Sequence, residues 1–262
     1  MSVNTHLTKI ASELVLSSEE DSSISTSITT LTTRMDSYFG TNIKERFQFG
    51  SSVRGTILPR KVDSSSDIDF MVVFNTTDGK KKPQTYLDRL RKFAEKKYTS
   101  SEIKQSHPTV VLSLNHISFE LVPAVVEYSV YQIPSPATSY SEWIATDPSG
   151  ANQALQTKNK DNNFLIKPLV RLVKYWNAKN GFPYSSYSLE QYIVGKFFYP
   201  NALVKDLFYQ FWSGFNYSYD TAKWIKDKVD LAKTRTANAK QYDAAGLTET
   251  AETEIKKVIP TL

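Results

Sequence analysis

The chain has 262 residues, 40% hydrophobic and 13% aromatic, with a formal charge of +5 and no cysteine. That is enough apolar material for one large domain or two lobes with a substantial core, and the missing thiols exclude disulfide frameworks and thiolate metal sites, which makes the cytoplasm the expected compartment. No apolar run approaches the roughly 18 residues of a membrane helix and the N-terminus lacks a signal-peptide pattern, so the sequence predicts a mature chain without membrane association. The modest positive charge suits an anionic ligand such as a nucleotide without demanding a nucleic-acid polymer.

Between Ser22 and Phe39, the residues Ile24, Ile28, Leu31 and Met35 recur at helical spacing behind a serine-rich start that can cap a helix. Phe47 and Phe49 then lead into a Gly-Ser turn, and Ile68 to Phe74 is apolar, β-branched and aromatic, so two strands are predicted there. Leu87, Leu90, Phe93 and Ala94 mark a helix from about Gln84 to Lys97. Thr109 to Leu114 and Ile117 to Val122 read as a hairpin turning at Asn115-His116. A Pro- and Ser-rich passage from Ile133 to Ser141 leaves this lobe, with no comparable strand signal beyond it. Ile166, Leu169, Val170, Val173 and Trp176 mark a helix ended by Asn180-Gly181. Leu189, Ile193, Val194 and Phe197 mark another that starts near Ser185-Ser186, and the remainder reads as further helices. The pattern predicts an α+β lobe over residues 1–140 followed by a helical lobe over residues 141–262.

Side chains alternate along a strand, so Asp67 and Asp69 project from one side while Ile68 and Phe70 project from the other. Like charges so close repel unless a cation lies between them, which suggests a divalent metal, and magnesium suits an all-oxygen set best. Glu120, with Ser118 on its face, can bring a third carboxylate to the same surface. Taken alone, Asp-x-Asp is as often an exposed edge or a turn, and Gly50-Ser51 an ordinary strand-to-loop turn. Together they suggest an anion held on one side of a metal and carboxylates on the other, because glycine permits close backbone approach and Ser51 offers a hydroxyl and an N–H.

Gly50-Ser51, Asp67-Ile68-Asp69 and Glu120 resemble, in order, the signature of the polymerase-β-like nucleotidyltransferase superfamily. Gly-Ser-x-x-Arg-Gly-Thr, Phe119 to Ala124, Leu172 to Asn177 and Ser186 to Glu190 look like the branch that holds bacterial cyclic-oligonucleotide synthases, animal cyclic GMP-AMP synthase and oligoadenylate synthase. The likeness runs from about Phe47 to Phe198. It implies a bilobal α+β fold, a mixed-sheet lobe with flanking helices, among them an N-terminal spine helix, and a C-terminal helical lobe, with the active site in the cleft between the lobes. The third carboxylate is usually aspartate in such proteins, and here it is Glu120. The stretch from Ser51 to Asp67 also looks longer than usual, lengthening a loop that could touch the acceptor nucleotide.

Carried onto these positions, the resemblance implies two magnesium ions, with manganese as a substitute, bound by Asp67 and Asp69, and Glu120 serving the ion at the attacking hydroxyl. It implies that Gly50 and Ser51 hold the phosphate tail, that Lys174 lies against the triphosphate, that Ser186 contacts a phosphate oxygen and that Tyr187 stacks on the donor base. Lys167, Arg171 and Lys174 form one basic helical stripe, for which a solvated face is the plain reading at Lys167. His6, His107 and His116 are scattered and read as structural or exposed. The basic run from Lys80 to Lys97 reads as a solvated helix face, with a polyanion surface as the alternative, since nucleic acid is an optional partner in such proteins. A cyclic di- or trinucleotide made from nucleoside triphosphates, in antiviral defence and with a regulatory protein partner, is the implied activity. Nucleotidyl transfer to an RNA end, a protein or a small molecule, and a catalytically degenerate nucleotide- or RNA-binding module, are the alternatives.

Overall fold

The computed structural model describes residues 2–136, 142–199 and 203–262. Contacts divide the chain into two units, Leu16–Arg60 with Ser64–Gln153, and Met1–Val15 with Lys61–Asp63 and Ala154–Leu262. The expected lobe boundary after residue 140 lies outside the described residues. Helix α1 (Val3–Glu13) belongs to the helical unit, not to the sheet unit that follows it in sequence.

The sheet unit begins with α2 (Ser18–Phe39), which starts four residues before the apolar repeat suggests. Ser17 and Glu20 explain this by forming a capping box: Ser17 Oγ accepts from the Glu20 amide at 3.2 Å, and Glu20 Oε2 accepts from the Ser17 amide at 3.0 Å. The helix tolerates its many threonines because Thr26, Thr29, Thr30 and Thr33 donate to carbonyls one turn back, each at 3.0 Å.

After β1 (Ile43–Phe49) and the short helix α3 (Gly50–Arg54) come β2 (Asp67–Phe74), α4 (Pro83–Lys97), β3 (Glu102–Ser106), β4 (Thr109–Ser113), β5 (Ser118–Glu127), β6 (Val130–Pro134) and β7 (Trp143–Thr146). The strands form one seven-stranded sheet in the order β1-β2-β5-β4-β3, with β6 on β5 and β7 on β6. Only β2 and β5 run parallel; the other pairs are antiparallel. Pro123 has no amide hydrogen to give a ladder, and it falls between the last β4 partner, Leu121, and the first β6 partner, Val125. Strands β3, β6 and β7 are additions to the sequence reading, and β7 corrects the expectation that no strand follows Ile133.

Alternation along β2 separates two apolar clusters. Ile68, Phe70, Val72 and Phe74 pack with Ile24, Leu31, Met35 and Phe39 of α2 and with Leu87, Leu90 and Phe93 of α4. Met71 and Val73 point the other way and pack with Ala124, Phe47, Phe49 and Tyr131. Asp67 and Asp69 precede them on that second face.

The helical unit holds α1, the residues of α5 (Pro148–Asp161) from Ala154 on, α6 (Ile166–Lys179), α7 (Ser186–Gly195), α8 (Val204–Gly214), α9 (Lys223–Ala244) and α10 (Thr248–Lys256). Its centre is aromatic: Trp212 lies 4.7 Å from Trp176, 6.2 Å from Phe208, 5.1 Å from Phe211 and 6.0 Å from Phe215 between ring centroids. Polar contacts fasten α1, among them His6 Nε2 at 2.7 Å from the Ile259 carbonyl, Arg171 Nε donating to the Ala11 carbonyl at 3.1 Å and the Lys205 amide donating to Asn4 Oδ1 at 3.3 Å. The α7 stripe stops at Val194, because the helix ends at Gly195 and Phe197 lies beyond it, exposed.

Candidate active site

The carboxylates gather where β2 and β5 begin. Parallel pairing sets Asp67 opposite Ser118 and Asp69 opposite Glu120, so Asp67, Asp69 and Glu120 share one face of neighbouring strands, half-buried. Ile68 and Phe119, on the opposite face, are fully buried and hold both strands to the α2–α4 core. Burial pushes the Glu120 carboxyl above the usual glutamate range, and a side-chain hydrogen bond with Asp67 pulls the other way.

The turn after β1 is built around Asp69. Gly50 has φ +75°, and a β-carbon there would stand 1.7 Å from Asp69 Oδ2. Glycine is therefore required both by the backbone and by the carboxylate over it. Ser51 anchors the loop that follows, since its carbonyl accepts from the amides of Thr56 at 2.9 Å and Ile57 at 3.1 Å. The long stretch to Asp67 is packed in its middle, where Thr56, Ile57 and Leu58 are buried, while Val53, Gly55, Lys61, Ser64 and Ser65 are exposed.

The expected metal set is not closed around a point. Among the described residues, no group of three or more His, Asp or Glu side chains stands in position to hold a metal ion. Glu120 leans to Asp67, while the Asp69 carboxylate lies over Gly50.

Lys174, Ser186 and Tyr187 lie in the helical unit. Lys174 is buried at 5% exposure, so the basic stripe of α6 is not a solvated face. Lys167 is half-buried, and Arg171 is committed to the Ala11 carbonyl, with burial pulling its guanidinium below its usual range. The cause is that α6 is buried almost all round, Leu172, Tyr175 and Asn177 included. Ser186 is the first residue of α7, and Ser185 before it is the cap, accepting from the Ser188 amide at 3.1 Å. Tyr187 is 53% exposed, which leaves its ring outside the core.

Asn177 is a residue that the sequence reading passed over as part of a motif. Fully buried, it donates from Nδ2 to the Tyr184 carbonyl at 2.8 Å and accepts at Oδ1 from the Tyr184 amide at 3.1 Å. Its own carbonyl accepts from the Phe182 amide at 2.9 Å. One side chain thus fixes the chain that delivers Ser185, Ser186 and Tyr187. The signal was a polar residue in line with the apolar stripe of α6, one turn beyond Val173 and just before Asn180-Gly181.

The basic run around α4 is largely engaged. Lys80 pairs with Glu127 at 2.8 Å, Arg91 lies 3.6 Å from Asp88 and 3.9 Å from Glu95, and Arg89 lies over the Phe74 and Tyr86 rings. His107 and His116 are exposed, with Nε2 at 2.6 Å from the Ser135 carbonyl and 3.0 Å from Ser27 Oγ respectively. No helix among the described residues is long and apolar enough to cross a membrane.

Comparison with known proteins identifies the family and the fold. Residues 1–159 match the model of the SMODS family, the Second Messenger Oligonucleotide or Dinucleotide Synthetase domain. The chain is 28% identical over 258 residues to the probable cyclic nucleotide synthase IK1_05630 of Bacillus cereus (strain VD146), covering 81% of this chain and 76% of that protein. It is 29% identical over 115 residues to the cyclic AMP-AMP-AMP synthase of Acinetobacter sp. (strain ATCC 27244 / 9458), covering 44% of this chain and 32% of that protein. Among solved structures, E. coli MS115-1 CdnC in complex with HORMA-deltaN superposes with a TM-score of 0.73 at 15% identity, over 99% of this chain and 98% of that one. The same protein with ATP gives 0.72 at 15% identity, over 100% and 98%.

Proposed function

Because the chain belongs to the SMODS family and is a nucleotidyltransferase of the cyclic-oligonucleotide synthase branch of the polymerase-β-like superfamily, we propose that it joins nucleoside triphosphates into a cyclic di- or trinucleotide, releasing pyrophosphate. The observation that carries this reading is the pairing of Asp69 with Glu120, with Asp67 on the same face and Gly50 cleared of any side chain beneath Asp69.

A divalent cation fits the donor set. Asp67, Asp69 and Glu120 offer only oxygen, which suits magnesium, and their mutual repulsion is the kind a cation relieves. Asp67 and Asp69 would hold the ions jointly and Glu120 the one on the acceptor side. Bound there, they would acidify the attacking hydroxyl and stabilise charge on the leaving pyrophosphate. Gly50 leaves the Ser51 turn free of a side chain, so that backbone and hydroxyl can meet phosphate oxygens. Lys174 supplies positive charge to the triphosphate, Ser186 an N–H and hydroxyl at the start of α7, and Tyr187 an exposed ring for the base. A cytoplasmic role in antiphage defence and a regulatory protein partner belong to the same proposal, supported by the likeness to a protein solved with HORMA-deltaN.

The test is incubation with all the ribonucleoside triphosphates and magnesium, followed by mass spectrometry of phosphatase-resistant products. A cyclic product that disappears with EDTA and in Asp69→Asn is expected. Product formed only when an RNA, protein or small-molecule acceptor is added would overturn the cyclisation reading, and none under any mixture would overturn turnover itself.

A further inference from the structure

The Gly-Ser-x-x-Arg-Gly-Thr stretch holds three residues with no part in the site described above, Arg54, Gly55 and Thr56. Arg54 closes α3 and is only 6% exposed, and Thr56 is fully buried. An arginine keeps its charge inside a protein, so burial commits its guanidinium to a partner that can match it. Gly55 stops the helix directly behind Arg54, with φ +69° in the left-handed region. The Thr56 and Ile57 amides then donate to the Ser51 carbonyl at 2.9 and 3.1 Å and tie the chain back onto α3. The motif thus fixes where Arg54 stands.

The surroundings of Arg54 point to its partner. Helix α3 packs on β1 and β2. Gly50, at its start, is where a β-carbon would stand 1.7 Å from Asp69 Oδ2, so the Asp69 carboxylate is turned to α3. Arg54 lies one helical turn further on, on the same side, and helical side chains lean toward the N-terminus. The arginine therefore leans back along the side that Gly50 leaves bare, toward Asp69. Glu120 leans to Asp67 instead, and Asp63, the other buried carboxylate of this stretch, packs within the helical unit. Neither Arg54 nor Asp69 is without an interaction partner. The guanidinium fork matches a carboxylate in shape as well as charge, and a carboxylate that gives one oxygen to a donor keeps the other for a cation.

We infer that Arg54 is a positioning residue for the proposed metal site: its guanidinium holds one oxygen of Asp69 from the α3 side and so aims the other at the cation. This rests on the reading of Asp69 as a metal ligand. A fixed positive charge beside Asp69 also offsets part of the repulsion among the three carboxylates of that face.

The test has two readouts. The first is a double-mutant cycle on the melting temperature of the full chain in EDTA, which needs neither metal nor turnover. Arg54→Gln should lower the melting temperature by several degrees in the wild type and by much less when Asp69 is already Asn, because breaking a buried pair costs most when the partner charge stays behind. The second is calorimetric titration with Mn²⁺ in the absence of nucleotide. Arg54→Gln should weaken binding about 10-fold or more, the scale of losing a group that orients a metal ligand. Arg54→Lys, which keeps the charge and loses the fork, should restore only part of it. The inference is overturned if the cycle shows no coupling between Arg54 and Asp69, which would give Arg54 another partner. It is overturned as well if Arg54→Gln leaves the Mn²⁺ affinity unchanged or tightens it, the result expected of a cation that merely repels the metal. Coupling in the cycle together with a wild type that binds no Mn²⁺ would instead overturn the metal reading of Asp69 and leave its pairing with Arg54 standing.

Discussion

Gly50 lies against the carboxylate of Asp69 so closely that a β-carbon on it would stand 1.7 Å from Oδ2. Its φ of +75° would also strain any other residue. Gly50→Ala must therefore displace Asp69, a proposed metal ligand, as well as the turn that carries Ser51. Misplacement of reacting groups by about 1 Å costs on the order of 100-fold in rate. Product formation in Gly50→Ala should fall by that order, far more than in Ser52→Ala, whose hydroxyl donates weakly to the Phe49 carbonyl at 3.3 Å. Equal losses in both variants would remove the special role of Gly50.

The pairing of Asp69 with Glu120 leads to a prediction about metal. A ligand bound only by the folded chain raises its melting temperature, so magnesium or manganese should stabilise the wild type and not Asp69→Asn. Glu120→Gln keeps the shape of the side chain and removes its charge. Turnover should fall by about 100-fold or more, the scale of losing one positioned electrostatic group in an active site. A Glu120→Gln variant that turns over like the wild type would place the third ligand elsewhere.

The sheet face was legible because alternation is local. Asp67-Ile68-Asp69-Phe70 on β2 and Phe119-Glu120-Leu121 on β5 each declare a polar and an apolar side, and strand pairing then fixes which carboxylates meet. What alternation cannot reveal is partnership. Strands β6 and β7 are short, and β7 is only half-buried, so neither has the run of apolar residues that marks a strand. The start of α2 was written as Ser17-Ser18-Glu19-Glu20, a capping pattern overshadowed by the later apolar repeat. The stripe of α6 misled for a different reason. Lys167, Arg171 and Lys174 share a face, but a helix surrounded by other helices has no solvent side, and Arg171 turns to α1 instead.

Asn177 tests whether the start of α7 needs to be held in place. Its side chain satisfies both the carbonyl and the amide of Tyr184. Asn177→Ala leaves those groups without it, at a cost of about 2 to 4 kcal/mol, so the melting temperature should drop by several degrees. Because the same loop delivers Ser186 and Tyr187, the variant should raise KM for the nucleotide more than it lowers kcat. Asn177→Asp keeps the acceptor for the Tyr184 amide and loses the donor, and should fall between the two. A variant that melts lower with KM unchanged would confine Asn177 to a structural role.

Glu254 of α10 connects charge to pH in the helical unit. It accepts from Lys257 Nζ at 2.6 Å and from Arg235 Nη1 at 2.9 Å, and it is buried. The Lys257 hydrogen bond, and with it that of Arg235, holds the carboxyl below the usual glutamate range even though burial pushes it up. A carboxyl depressed by folding contributes stability that is fully present above its ordinary unfolded pKa and is lost as pH falls through the lower, folded value. Lys257 and Arg235 are partly exposed, so solvent screens the pairs and the contribution is about 1 to 3 kcal/mol. Melting temperatures of the wild type and Glu254→Gln should therefore differ most at neutral pH, with the wild type higher, and converge as the pH drops below the ordinary glutamate range. A difference that stays constant down to that acid limit would mean that Glu254 acts by packing and not by charge.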